Sequence, residues 1–133
     1  MKVESVEAFP IKLKAKESLR GGTFSYGFYQ TVLVRAVCDG VEGWGEAMTR
    51  AEARPTVSLV REMAKLCVGK EVAGPSEAWS TVWKNLRVRG HTRGTDVEAL
   101  SGIEIALYDC FGKLARKPLN RVLAENPARE VTA

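Results

Sequence analysis

The order of patterns along the chain predicts an α+β domain: a three-stranded antiparallel meander followed by a helical bundle of three main helices. Three observations carry this. Residues suited to strands fill the first third of the sequence and end near Ala47. Asp39-Gly40 stands between two such runs, and this dipeptide suits a two-residue turn whose backbone twist matches paired antiparallel strands. From Pro55 onward, apolar residues recur at helical spacing. Strands come first and helices after, without βαβ alternation, so a parallel sheet is not expected.

The first strand is loosely patterned. Val3, Ser5, Glu7 and Phe9 alternate with Glu4, Val6, Ala8 and Pro10, and the run continues through Ile11 and Leu13. Residues 30–38 are rich in β-branched side chains and suit a largely buried second strand. Residues 41–47 return antiparallel as the third. Between the first two strands, residues 17–28 hold three glycines among aromatics, which reads as a mobile loop or as a long connection with aromatic tips tucked onto the sheet. Gly43 and Gly45 flank Trp44 on a short strand, where glycine permits a bulge or a close backbone approach.

Pro55 fits the first turn of a helix, and Val57, Val60, Ala64 and Cys67 continue it until Gly69 supplies a stop. Pro75-Ser76 opens a second helix with Trp79, Val82, Trp83 and Leu86 on its apolar stripe. The polar stretch 87–94 ends it. Thr95 and Glu98 have the spacing of a capping box at the head of a third helix. Ala99, Ile103, Ala106, Leu107, Cys110 and Leu114 trace its apolar face, and Pro118 marks its end. Residues 120–123 form a short further turn. Ala99, Ser101, Gly102 and Ala106 give the third helix a low-relief side that another element can approach closely. Asp109 and Lys113, spaced i,i+4 with the acid first, form a helical ion pair in the better orientation.

Composition narrows the function classes. The chain has 133 residues, enough for one domain with its own core. No apolar run is long enough to span a bilayer. The N-terminus lacks the apolar stretch of a signal peptide, which makes a cytoplasmic location the default. Cys38, Cys67 and Cys110 form no CxxC, and an odd count suits a disulfide framework poorly, so they read as small buried hydrophobes. One histidine and no close cysteine pair argue against zinc. The net charge of +4 is modest. Arg87, Arg89, His91 and Arg93 cluster, as do Arg116, Lys117 and Arg121, but no aromatics interleave with them as nucleic-acid binding on a stacking platform requires. Glu46, Glu52, Glu98 and Glu104 are too scattered for a metal site, and His91 reads as solvated.

Four segments, taken in order, resemble the N-terminal capping domain of the enolase superfamily, in its mandelate racemase and muconate lactonizing branch. They are Asp39-Gly40 with residues 43–47; Gly69-Lys70 with residues 75–78; residues 89–94, placed where dehydratase members often carry an Arg-Gly-Gly-like loop; and the third helix with Asp109, Gly112 and Lys113, followed by residues 117–123. The resemblance implies an enzyme that removes the proton next to a carboxylate, with Mg²⁺ stabilising the enediolate and a Lys or His as base. Those groups lie on a catalytic barrel of roughly 250 residues. The chain is then expected to be a single capping domain, residues 1–133, without the barrel and inactive alone.

In such a cap, two loops close over the barrel mouth and contact a small carboxylate substrate. By position they map to residues 20–26 and 48–50. Arg20, Thr23, Tyr26, Thr49 and Arg50 offer polar contacts suited to a polyhydroxylated acid, and Phe24 and Met48 offer apolar ones. That mixture favours an acid-sugar dehydratase over a racemase or a muconate-type cycloisomerase. Asp109 and Lys113 are candidates for the cap–barrel interface. A non-enzymatic, self-associating module is the alternative. A homo-oligomer is expected, with the third helix, through its low-relief side, or the apolar segment 118–123 in the interface.

Overall fold

A computed structural model gives backbone and side chains for residues 1–16, 27–49, 52–124 and 127, and backbone alone for 17–21 and 24–26. The strands are β1 (Val3–Gly21), β2 (Phe24–Cys38) and β3 (Val41–Met48), in the spatial order β1-β2-β3 with both pairings antiparallel. Asp39 and Gly40, with φ of 46° and 74°, turn β2 into β3. Positive φ at both positions is what a two-residue turn with native strand twist demands.

Strand alternation divides the sheet into two faces. Val32, Val34, Ala36 and Cys38 of β2 point inward and are fully buried. Their cross-strand partners, Ala8 opposite Val34, Gly45 opposite Val34 and Ala47 opposite Val32, share that face. The other face carries charge and aromatic area. Arg35 pairs with Glu7 at 2.6 Å and with Glu42 at 3.3 Å, tying all three strands. Phe9 lies 6.0 Å from Trp44, ring centre to ring centre.

Four helices follow: α1 (Ala53–Ala64), α2 (Pro75–Val88), α3 (Thr95–Leu114) and α4 (Leu119–Leu123). The helices cover the inner face, with α3 lying across β3 and β2, α1 against β1 and α3, and α2 on α3. Gly43, Gly45 and Gly102 make the closest of these contacts possible. A Cβ on Gly43 would stand 2.6 Å from the Cys110 nitrogen, one on Gly45 2.7 Å from the Ala106 nitrogen, and one on Gly102 2.6 Å from the Ala47 Cβ. Real Cβ atoms do not approach that closely, so β3 and α3 touch backbone to backbone only because these positions lack side chains.

Two local readings change. The expected capping box is not formed: Gly94 is the N-cap, and Thr95 already lies in the helix. Its hydroxyl is therefore one position too late to cap. Leu114, expected on the buried face, is 36% exposed at the last position of α3. That end closes with Arg116 at φ 51°, while the Lys117 amide donates to the Gly112 carbonyl at 2.9 Å and the Arg116 amide to the Lys113 carbonyl at 3.1 Å. These two bonds satisfy carbonyls that the helix cannot, and Pro118 follows. Residues 69–72 also run beside the start of β1. Val3 donates to the Lys70 carbonyl at 3.0 Å and Gly69 donates to the Val3 carbonyl at 2.8 Å, covering an edge that would otherwise be open.

Candidate functional site

The segment read as a loop over residues 17–28 is largely a β-ribbon. Leu19 pairs with Tyr26, Arg20 with Ser25 and Gly21 with Phe24, after an irregularity between Lys14 and Leu19. The glycines suggested a loop, and the irregularity hid the continuing alternation. Mutual pairing of the two backbones satisfies groups that a loop would leave to water, and the aromatics of this stretch favour strands. Arg20, Phe24 and Tyr26 therefore stand on paired strand. Thr23 and Arg50 lie outside the described residues.

The second segment arrives at the same end of the sheet. Met48, the last residue of β3, pairs with Thr31 of β2, and the Thr49 hydroxyl donates to the Gln30 carbonyl at 2.8 Å. That bond commits the Thr49 proton inside the chain and leaves its oxygen as an acceptor. Two sequence segments more than twenty residues apart thus lie toward the same end of β2, which carries both: one through the ribbon, one through its pairing with β3.

Leu13, Tyr29 and Met48 share the outer face there, with exposures of 60%, 61% and 60%. On the opposite face the Lys12 ammonium sits 4.3 Å from the centre of the Phe28 ring. Leu13, Phe28 and Tyr29 were absent from the set of candidate contact residues. For Leu13, the signal was available in the odd-numbered register Ser5-Glu7-Phe9-Ile11-Leu13.

Asp109 and Lys113 lie at the other end, near the Asp39-Gly40 turn. The Asp109 carboxylate accepts from the Trp44 amide at 2.9 Å and from Lys113 Nζ at 2.8 Å, while Lys113 Nζ also donates to the Glu42 carbonyl at 2.9 Å. The pair clamps α3 to β3. Burial opposes ionisation of Asp109, but the Lys113 and Trp44 hydrogen bonds and the Lys113 charge outweigh it and hold the carboxyl below its ordinary value.

His91 is exposed, with Nδ1 3.2 Å from Asp96 Oδ2. Burial pushes the Glu104 carboxyl up. Among the described residues, no three His, Cys, Asp or Glu side chains converge where a metal ion could sit. No helix among them is long and apolar enough to cross a membrane. The low-relief side of α3 is taken up internally, since Ala99, Gly102 and Ala106 are buried within the fold. In the segment 118–123, Leu119 and Leu123 remain 42% and 61% exposed.

Comparison with known proteins places this geometry. The family described as "Mandelate racemase / muconate lactonizing enzyme, N-terminal domain" matches residues 13–124. A D-galactarolactone cycloisomerase from Agrobacterium fabrum (strain C58 / ATCC 33970) is 31% identical over 114 residues, which is 85% of this chain and 29% of the relative. A D-galactonate dehydratase from Xanthomonas campestris pv. campestris (strain B100) is 33% identical over 87 residues, or 64% of this chain and 22% of the relative. Among solved structures, an enolase from Bradyrhizobium complexed with magnesium and mandelic acid superposes with a TM-score of 0.78 at 28% identity, covering 92% of this chain and 34% of the other. A member of the enolase superfamily from Agrobacterium tumefaciens gives 0.78 at 25% identity, covering 92% and 37%. The chain spans less than a third of the length of these two curated relatives.

Proposed function

Because this chain belongs to the mandelate racemase / muconate lactonizing enzyme family, as its N-terminal domain, we propose that it caps the active site of a larger enzyme and contacts the distal part of a small carboxylate substrate. The observation that supports this most is that the paired residues 20–21 and 24–26 lie toward the same end of β2 as Met48 and Thr49. Aromatic, apolar and hydroxyl groups there would bound a pocket from above and exclude water.

The chemistry we assign to the whole protein is removal of the proton next to a carboxylate, in an acid-sugar dehydratase. The polar positions of the two segments and the D-galactonate dehydratase relative favour this. A cycloisomerase acting on a sugar lactone is the second reading, favoured by the relative that matches over more of the chain. Magnesium would supply charge stabilisation to either reaction, but the described residues do not form a seat for it. This chain's part is to position and enclose the substrate, and alone it is expected to turn over nothing.

The test is to assay the full enzyme with Mg²⁺ against a panel of acid sugars and their lactones. Dehydration of an acid is expected, and conversion of a lactone without loss of water would select the second reading. Activity on neither, or turnover by residues 1–133 alone, overturns the proposal. Self-association through Leu119 and Leu123 belongs to the same proposal, and light scattering of a Leu123→Ser variant should show a smaller species.

A further inference from the structure

The last turn of α3 and the chain that follows it bound a cleft of about 330 Å³, a size usual for small-molecule sites. Three cations line it, Lys113, Arg116 and Lys117, against one anion, Asp109. The anion is already engaged, accepting from Lys113 Nζ at 2.8 Å and from the Trp44 amide at 2.9 Å. Lys113 spends two of its three ammonium protons, on Asp109 and on the Glu42 carbonyl, so its charge is fixed in place with one proton to spare. Among the described residues, the exposed Arg116 and Lys117 side chains have no ion-pair partner. Tyr108 adds a hydroxyl held 2.9 Å from Ser76 Oγ of α2, and Pro118 and Leu119 add apolar surface. The Gly112 and Lys113 carbonyls, which would repel an anion, accept from the Lys117 and Arg116 amides at 2.9 and 3.1 Å.

Arg116 also stands where its backbone does not suit it. Its φ is 51°, and among the described residues the only other non-glycine with positive φ is Asp39, in the turn. A helix closed by this pair of amide bonds usually has glycine at that position, because a Cβ is strained there. Glycine would relieve the strain and would also remove the guanidinium. Here the guanidinium is present, and it lines the cleft.

We propose that this cleft binds a small phosphomonoester, with Arg116 and Lys117 on the phosphate and Tyr108, Pro118 and Leu119 against its organic part. Three cations less one anion leave the lining two charges positive, and a phosphomonoester at neutral pH is close to a dianion. The guanidinium fork matches two phosphate oxygens, and Lys117 with the spare Lys113 proton can serve the third. A carboxylate, with one charge and two oxygens, leaves part of this set unpaired.

Calorimetric titration of the full enzyme with phenyl phosphate tests this, with inorganic phosphate and benzoate for comparison. Phenyl phosphate should fill one site with a dissociation constant of about 1 mM or tighter. Inorganic phosphate should bind more weakly for want of the ring, and benzoate about tenfold more weakly for want of the second charge. Arg116→Gly should weaken phenyl phosphate binding about tenfold or more, yet melt no lower than the unsubstituted protein, since glycine takes φ 51° freely. Lys117→Gln should weaken it severalfold, and Lys84→Gln, on α2 and outside the cleft, should leave it within about twofold. The absence of saturable binding would overturn the proposal, as would inorganic phosphate or benzoate binding as tightly as phenyl phosphate. Binding undiminished in both Arg116→Gly and Lys117→Gln would overturn it too. If Arg116→Gly melts lower, Lys117→Gln at its exposed position decides.

Discussion

The two ends of the sheet are made of the same strands and have opposite character. At the turn end, every layer is fixed to the next. Asp39 and Gly40 turn tightly, the Lys2 amide donates to Asp39 Oδ1 at 3.1 Å, β3 touches α3 backbone to backbone, and Asp109 with Lys113 ties them across their exposed side. At the ribbon end, β1 and β2 continue past β3, and Leu13, Tyr29 and Met48 face solvent. A two-stranded ribbon is marginal by itself. The difference teaches that stability in this domain comes from the layer covering the sheet rather than from the strands. Residues beyond that cover contribute little to folding, which leaves them available for contact with other groups.

Substitutions at the two ends should separate these roles. The largest effect is expected for Gly43→Val or Gly45→Val, which drives a side chain into the α3 backbone and should cost about 3 kcal/mol or more by urea denaturation. A cost below about 1 kcal/mol would mean that α3 can lift off β3 without penalty. Gly40→Val asks a β-branched residue to adopt φ 74° and should cost about 1–3 kcal/mol.

Asp109→Asn weakens the clamp at a site one-third exposed, so about 1 kcal/mol is expected at neutral pH. Its pH dependence sharpens the test. The Asp109 carboxyl is held below its ordinary value in the folded state, so its stabilisation is complete above the unfolded value of about 3.9 and is lost as pH falls through the lower folded value. The variant should therefore lose part of the acid-side slope of stability, and an unchanged slope would remove Asp109 from the clamp. The smallest effect is expected at the ribbon end. Leu13→Ser or Met48→Ser should change stability by no more than about 0.5 kcal/mol, while Met48→Ser should lower kcat/KM of the whole enzyme. A large loss of stability from Met48→Ser would show that this end belongs to the core after all.

The sequence by itself determined the strand and helix order, the turn at Asp39-Gly40, the apolar stripes of α1 and α3, and the burial of all three cysteines. These are local or periodic properties, written in φ preferences and in the spacing of apolar residues. It also marked Gly43, Gly45 and the small residues of α3, without saying that they meet one another. Only the tertiary structure decided that, because contact between residues some sixty positions apart depends on how a helix crosses a sheet and leaves no periodic trace. The same reason explains why the small side of α3 looked open for a second copy when β3 already fills it, and why Asp109 and Lys113 hold β3. It explains the candidate site as well. Its segments were legible one by one, but their meeting at one end follows from the register of β2 with both neighbours, and register is set by pairing across space.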